Sequence, residues 1–305
     1  MNLKKRLLLA GLGCMTWSAV SWSQGTSLNY LDEMDPYYVS QHFPKLTTPQ
    51  WLGEEGVDAV IILSIDDMRE PEKYEAYLRP ILDRLKTITQ TGAPLTIFTN
   101  TIEPDHAGLQ AFLKEGLSID VHTTQHPCPL LAKNDFIRAQ DNVHDCVDLL
   151  HAIPGNTPVA FRMPCCDSQN TPSPRFYAEI FNQTSDKGKF LEIDSSVFCV
   201  LTPNDPEVPK SISLDDSGEP RFRKYLPFPS FVNTIDDYPY PYVIGQLGWE
   251  VPCTVPSDWE AQNINGVNSP RSVHDMKAAI DGVVAKKGVY TLVFHPHGWI
   301  ENTQV

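Results

Sequence analysis

The sequence predicts an α/β fold, a distorted (β/α) barrel with about seven parallel strands. Three observations lead there. Short apolar runs without alternation recur along the chain, as expected of strands buried on both faces. Between them lie stretches with apolar residues at three- and four-residue spacing, the mark of amphipathic helices. Residues able to do chemistry follow several of the apolar runs, and in an α/β barrel the site lies at the C-terminal ends of the strands.

The elements follow in order. Residues 24–56 carry turn residues and aromatics with little periodicity and read as a lead-in wrapping the barrel. Residues 57–63 form the first buried strand. Residues 71–90 are helical, with Tyr74, Tyr77, Leu78, Ile81, Leu82, Leu85 and Ile88 on one stripe; Pro80 breaks this stretch and starts a second helix. Strands are expected over 94–99 and 117–121, separated by a helix over 106–115 that Gly116 stops. A helix over 134–151 turns Phe136, Ala139, Val143, Val147 and Leu150 inward, and a strand over 158–161 follows. A helix begins at 174 and a fifth strand spans 190–197. Eight prolines fall in 200–241, which reads as an irregular insertion or a substrate-facing loop. Residues 249–253 resemble a further strand; Asp258 and Trp259 beyond it read as a surface loop, with the groove mouth as the alternative. Ser272 caps a helix with Asp275 in its first turn and Val273, Met276, Ile280, Val283 and Val284 inward; Gly288 closes it, and 289–294 is the last strand.

The chain has 305 residues, 41% apolar and 20% charged, which is the composition of an ordinary folded protein. Its formal charge is −14, and no basic patch suited to nucleic acid is visible. An acidic protein is also a poor partner for anionic membranes or acidic polymers. Lys4, Lys5 and Arg6 precede an apolar stretch from 7 to 20, and Ser21 and Ser23 supply small residues at the positions a signal peptidase reads. Residues 1–23 are therefore expected to be a signal peptide, with the rest secreted or periplasmic and no membrane attachment after its removal. Residues 57–305 then form the barrel domain. Cysteines 128, 146, 165, 166, 199 and 253 remain, an even number outside the cytoplasm that permits disulfides in any of fifteen complete pairings.

Four short segments carry chemistry. Asp66 and Asp67 end the first strand, where both carboxylates can turn into one pocket. His122 and His126 stand at i and i+4, a spacing that puts both imidazoles on one side of a helical turn. Thr123 stands where a zinc protease of the H-E-x-x-H type needs glutamate. Two imidazoles and one carboxylate suit zinc or a similar divalent ion with positions left open. Arg162 follows the fourth strand and can hold a carboxylate through charge-assisted hydrogen bonds. His295 ends the last strand.

In order and spacing these segments resemble the polysaccharide deacetylase (NodB-homology) family, of carbohydrate esterase type. Ser64-Ile65-Asp66-Asp67-Met68 matches its first motif except for Met68 in place of glycine, and His122 to His126 matches H-S/T-x-x-H in full. Arg162-Met163-Pro164 matches the third motif, but Cys165 stands where the family has an aromatic. Leu292 to His295 matches the last. The fourth motif normally brings a tryptophan, often after an aspartate; Asp194 is the candidate aspartate, with Val197 and Phe198 where the indole is expected. The chain ends ten residues after His295, where the family adds a closing helix, so the resemblance leads us to expect a chain cut short at its C-terminus.

The resemblance implies a hydrolase that removes acetyl groups from N- or O-acetylated polysaccharide. Asp67, His122 and His126 would hold a divalent metal, zinc first, with cobalt and nickel as alternatives. Asp66 would be the base held by Arg162, and His295 the acid. The Cys165 backbone N–H would steady the oxyanion, Leu292 would line the acetyl pocket, and Asp194 would serve the substrate side. Two other readings stand beside it on sequence alone: a barrel hydrolase of small amides, and a sugar-binding protein that kept the fold without catalysis. The acetylated polymer and the oligomeric state are not legible.

Overall fold

The computed structural model describes residues 56–90, 92, 94–183, 191–244 and 247–295. The expected signal peptide and residues 24–55 of the lead-in lie outside the described residues. Among those described, no helix is long and apolar enough to cross a membrane.

Among the described residues eleven strands form two sheets: β1 (Val60–Asp66), β2 (Leu95–Thr99), β3 (Leu117–Val121), β4 (Ala160–Phe161), β5 (Ile193–Asp194), β6 (Phe198–Val200), β7 (Thr234–Asp236), β8 (Tyr242–Ile244), β9 (Gly248–Glu250), β10 (Cys253–Thr254) and β11 (Val289–Phe294). The main sheet runs β11-β1-β2-β3-β4-β5-β9-β8. Its first seven strands pair in parallel, and β8 joins β9 antiparallel. The result is a curled, mostly parallel half-barrel, which bears out the fold class read from the apolar runs.

The strand ends are level, and this positions the site. Ile65 pairs with Phe294, Asp66 with Phe98, Phe98 with Asp120, Val121 with Phe161, and Phe161 with Asp194. The ladder continues one residue past several strands: Asp67 N–H donates to the Phe98 carbonyl, His122 N–H to Thr99, and Arg162 N–H to Val121, at 2.9, 3.0 and 3.0 Å. The residues that follow β1, β3 and β4 are therefore held by the sheet itself.

Most helices fall where the periodicity places them. Pro71–Tyr77 and Arg79–Thr89 are separate helices, with Pro80 in the first turn of the second. Their buried stripe is narrower than expected: Tyr74, Leu78 and Leu82 are buried, whereas Tyr77 and Ile88 are exposed. Leu109–Lys114 is shorter than the 106–115 expectation and ends at Gly116, whose φ of 103° only glycine adopts without strain. Phe136–His151 buries Ala139, Val143, Val147 and Leu150 as its pattern requires.

Two parts differ from the expectation. Instead of one strand over 190–197, β5 holds only two residues and the chain then enters β6, in a second sheet ordered β10-β6-β7. The proline-rich stretch 200–241 supplies β7 to that sheet and is pinned to the helix Pro270–Ala285. Arg221, buried, donates to Asp275 at 2.7 Å and to the carbonyls of Ile212 and Leu214, and Tyr225 Oη donates to Asp275 at 2.6 Å. The helix starts at Pro270 after Ser269, so Ser272 lies inside it and Asp275 in its second turn, as a buried partner of the insertion; Val284 on the same helix is exposed.

Gly288 is required by contact, not by dihedral. The left-handed residue in this turn is Lys287, with φ of 52°. A Cβ on Gly288 would lie 2.6 Å from the Pro239 carbonyl oxygen, which also accepts from Val289 N–H at 2.7 Å. Gly288→Ala should therefore destabilise the fold by about 1–3 kcal/mol, the usual range for overpacking. Urea unfolding checks this; an unchanged midpoint would mean that Pro239 shifts freely.

Candidate active site

The strand ends bring Asp66, Asp67, His122, His126, Cys165 and His295 to one cavity of about 510 Å³. Cys166, Phe198, Pro227, Phe228, Ser257, Asp258, Trp259 and Val293 complete its wall.

The two adjacent carboxylates are set apart by one backbone turn. Asp66 is the last residue of β1, whereas Asp67 is left-handed with φ of 64°. The positive φ falls on Asp67, so the turn does not need a glycine at 68. Met68 is instead fully buried in the core. Asp66 receives a hydrogen bond from Arg162 Nη1 at 2.6 Å, and both side chains are buried. Arg162 is held in turn by the Ser195 carbonyl at 2.8 Å and by the hydroxyls of Ser64 and Ser195, each at 3.0 Å; its guanidinium lies 4.3 Å from the Phe98 ring centroid. Burial works against the Arg162 charge, but Asp66 beside it outweighs burial and raises the group above its ordinary value.

Asp67, His122 and His126 each offer a ligand atom, and these atoms all lie within 4.8 Å of one another. Asp67 Oδ1 is buried with no hydrogen-bond partner and stands 3.6 Å from Arg69 Nη2 and 3.8 Å from His126 Nε2. Burial would raise the Asp67 carboxyl, but His122, His126, His295 and Arg69 together hold it below the ordinary carboxylate value. His122 Nδ1 is 2.7 Å from the Arg162 carbonyl. A carbonyl only accepts, so Nδ1 carries the proton and Nε2 keeps its lone pair. Burial, then the neighbouring His122, pushes His126 down to about 4, so its imidazole is neutral at pH 7, the form a metal requires. A buried carboxylate oxygen that accepts no hydrogen bond, beside two imidazoles, fits a divalent cation whose bonds run about 2.0–2.2 Å.

The two histidines do not converge on a helical turn. Residues 122–126 form a bend after β3, with Thr123 at φ of 65° and His126 at 50°. Thr123 Oγ1 accepts from His126 N–H at 3.1 Å, and Asn142 of the following helix accepts from Gln125 N–H and Thr124 Oγ1 at 3.2 and 3.1 Å. The sequence spacing was informative, but side-chain caps rather than helical geometry deliver it.

His295 faces Asp258. Its Nδ1 is 3.0 Å from Asp258 Oδ1, and its N–H donates to Asp258 Oδ2 at 2.5 Å. Ser257 caps the helix Asp258–Asn265 by accepting from Glu260 N–H, which sets Asp258 in the first turn, fully buried. Burial would lower the His295 imidazole, but Asp258, with smaller help from Asp66 and Asp67, pushes it up to about 9. The expectation of a surface loop at 258–259 is thus corrected. The readable signal was an aspartate followed by tryptophan just after a capping serine.

Two further site expectations are corrected. Leu292 does not line the cavity; alternation along β11 turns Val293 to it instead. Asp194 is buried away from the cavity wall, where it accepts from Tyr177 Oη at 2.8 Å and Ser196 Oγ at 2.5 Å, and burial pushes its carboxyl up. Cys165 does line the cavity, and its thiol is spent in a disulfide with Cys128. The other four cysteines from 146 onward are buried free thiols, so one pairing is realised out of the three a full set would need.

Residues 54–174 match the family model described as polysaccharide deacetylase, a stretch that contains Asp66, Asp67, His122, His126 and Arg162. That stretch is similar to a polysaccharide deacetylase domain over well under half of the chain. No curated protein matches the chain. Among solved structures it is similar to a putative polysaccharide deacetylase from Mycobacterium smegmatis, with 16% identity, 79% of this chain and 78% of that chain covered, and a TM-score of 0.43. It is also similar to a family 4 carbohydrate esterase from Streptomyces lividans in complex with acetate, with 12% identity, coverage of 80% and 82%, and a TM-score of 0.39. A third similar structure is Puue allantoinase, with 13% identity, coverage of 83% and 81%, and a TM-score of 0.46.

The His295–Asp258 pair gives a sign for pH. The folded value of about 9 lies above the ordinary 6.5, so the pair's contribution to stability is full below pH about 6.5 and is lost as pH rises through about 9. In metal-free protein the His295 imidazole should titrate near 9, and in Asp258→Asn it should fall to its ordinary value or below, because burial then dominates. Histidine proton NMR reads both; a His295 titration near 6.5 in the unsubstituted protein would contradict the pairing.

Proposed function

We propose that this enzyme removes acetyl groups from N- or O-acetylated polysaccharide by metal-assisted hydrolysis. The observation that carries the reading is the convergence of Asp67 Oδ1, which accepts no hydrogen bond, with the His122 and His126 imidazoles, one residue from the Arg162-bound Asp66. Asp67, His122 and His126 would hold a divalent ion, zinc by its donor set, with cobalt and nickel able to take the same ligands. Such an ion supplies a polarising charge for the acetyl carbonyl and lowers the pKa of water from about 15.7 towards about 7.

The remaining steps belong to the chain. Asp66, fixed by Arg162, takes the proton of the attacking water. Arg162 keeps that carboxylate aimed and prevents it from becoming a further ligand. The Cys165 backbone N–H, at the cavity wall, is the proposed donor to the developing oxyanion, a contribution of about 3 kcal/mol for one such group. His295, kept protonated at neutral pH by Asp258, gives its proton to the departing nitrogen or oxygen. Base and acid lie in one cavity, as hydrolysis of an amide or ester needs.

The Cys128–Cys165 disulfide supports an oxidising compartment, in keeping with the signal-like start of the sequence, and we place the mature enzyme outside the cytoplasm or in the periplasm.

Acetate release from a panel of acetylated glycans tests the reading, with chelator and with added zinc, cobalt or nickel. Activity should vanish with chelator and return with metal. Asp67→Ala and His126→Ala should lose bound metal and activity together; activity without metal would remove the ligand assignment. Asp66→Asn should keep its metal content and lose turnover by about 10²-fold or more, within the usual range for a general base. A near-normal rate in that variant would remove the base role.

A further inference from the structure

The proline-rich stretch places one aromatic residue in the cavity in a conformation that costs free energy. Phe228 has φ of 43°, a region a bulky aromatic residue rarely enters, and such strain persists only where the surroundings hold it. The surroundings here do so. The Phe228 carbonyl accepts from Phe231 N–H at 2.8 Å and Val232 N–H at 3.2 Å, closing a tight turn. That turn is fastened to the segment after the Arg162 motif: Gln169 N–H donates to the Phe231 carbonyl at 2.8 Å, Asn170 Nδ2 to Ser230 at 3.2 Å, and Asn233 bonds Ser168 through both its N–H and Nδ2 at 2.8 and 2.5 Å.

What the turn presents is an apolar wall. The Phe228 ring lies nearly parallel to that of Trp259, at 23° and 6.5 Å between centroids, and both line the cavity with Pro227. The same cavity carries Asp66, Asp67, His122, His126 and His295. It therefore has a polar, reactive lining and a flat aromatic one. A pyranose ring has the matching character, with hydroxyl and acetylamino or acetoxy groups around its rim and an apolar C–H face.

We propose that Phe228 is a specificity-determining residue: with Trp259 it receives the C–H face of the acetylated sugar ring and so presents the rim acetyl group to the Asp and His side chains. This rests on the deacetylase reading above and adds the substrate's binding face. Phe228 acts on binding of the sugar and takes no part in bond breaking.

The test compares a substrate that has a sugar ring with one that lacks it. Zinc-loaded protein is assayed on the β-1,4-linked tetramer of N-acetylglucosamine, on an acetylated xylotetraose, and on 4-nitrophenyl acetate. Phe228→Ala and Phe228→Leu should raise KM for the better oligosaccharide about tenfold with kcat within about twofold, and leave 4-nitrophenyl acetate hydrolysis within about twofold; Phe228→Tyr should restore the oligosaccharide KM. The Leu variant keeps bulk at the position, so folding is preserved if Ala is not tolerated. Equal losses on oligosaccharide and 4-nitrophenyl acetate, or an unchanged KM, would overturn the proposal. If the unsubstituted enzyme releases acetate from neither oligosaccharide, the deacetylase reading fails on its own account, and calorimetric binding of the same two oligosaccharides decides the wall: about tenfold weaker binding in the Leu variant supports it, and equal binding or none in the unsubstituted protein overturns it.

Discussion

The buried Arg162 guanidinium is the interaction on which the site depends. It reaches Asp66 and Ser64 on β1 from the end of β4, and it reaches Ser195 just past β5. Three strand ends are thereby tied to one charged group. An isolated guanidinium is very costly to bury, and so is an isolated carboxylate. Together, with their remaining polar atoms satisfied by hydroxyls and a carbonyl, they form a stable unit. Of the two adjacent carboxylates Arg162 bonds Asp66, and Asp67 Oδ1 is left without a hydrogen-bond partner, beside the histidines.

This division turns two chemically identical side chains into different tools. Asp66 ends a regular strand and accepts from a permanent cation. Asp67 lies in the left-handed region beside two imidazoles. His122 is oriented by the carbonyl of Arg162 itself, so the same residue that holds the proposed base also sets the tautomer of a proposed ligand. On the far side, His295 is steered by a carboxylate instead, that of Asp258, which pushes its imidazole up to about 9.

Much of this was legible in the sequence because it depends on local pattern. Apolar runs at 57–63, 117–121 and 289–294 announce strands buried in a parallel sheet, and Asp66, Asp67, His122, Arg162 and His295 stand just past strand ends. What was not legible depends on long-range packing. The second sheet uses strands of two and three residues, too short to show a period. Asp258 becomes a partner of His295 only because its helix starts beside the end of β11. Asp194 resembled a site residue by position but is turned into a network with Tyr177 and Ser196. The pairing of Cys128 with Cys165 among six cysteines is a matter of proximity in space that spacing does not disclose. Met68 looked like a defect in the first turn, yet the residue that needs positive φ is Asp67, which tolerates it.

The most direct measurement is a crystal structure of zinc-loaded protein with data at the zinc absorption edge. The account predicts an anomalous peak at bonding distance, about 2.0–2.2 Å, from one oxygen of Asp67 and one nitrogen each of His122 and His126, with Asp66 still bound to Arg162. A peak elsewhere, or one that draws Asp66 away from Arg162 into the metal's coordination, would contradict it.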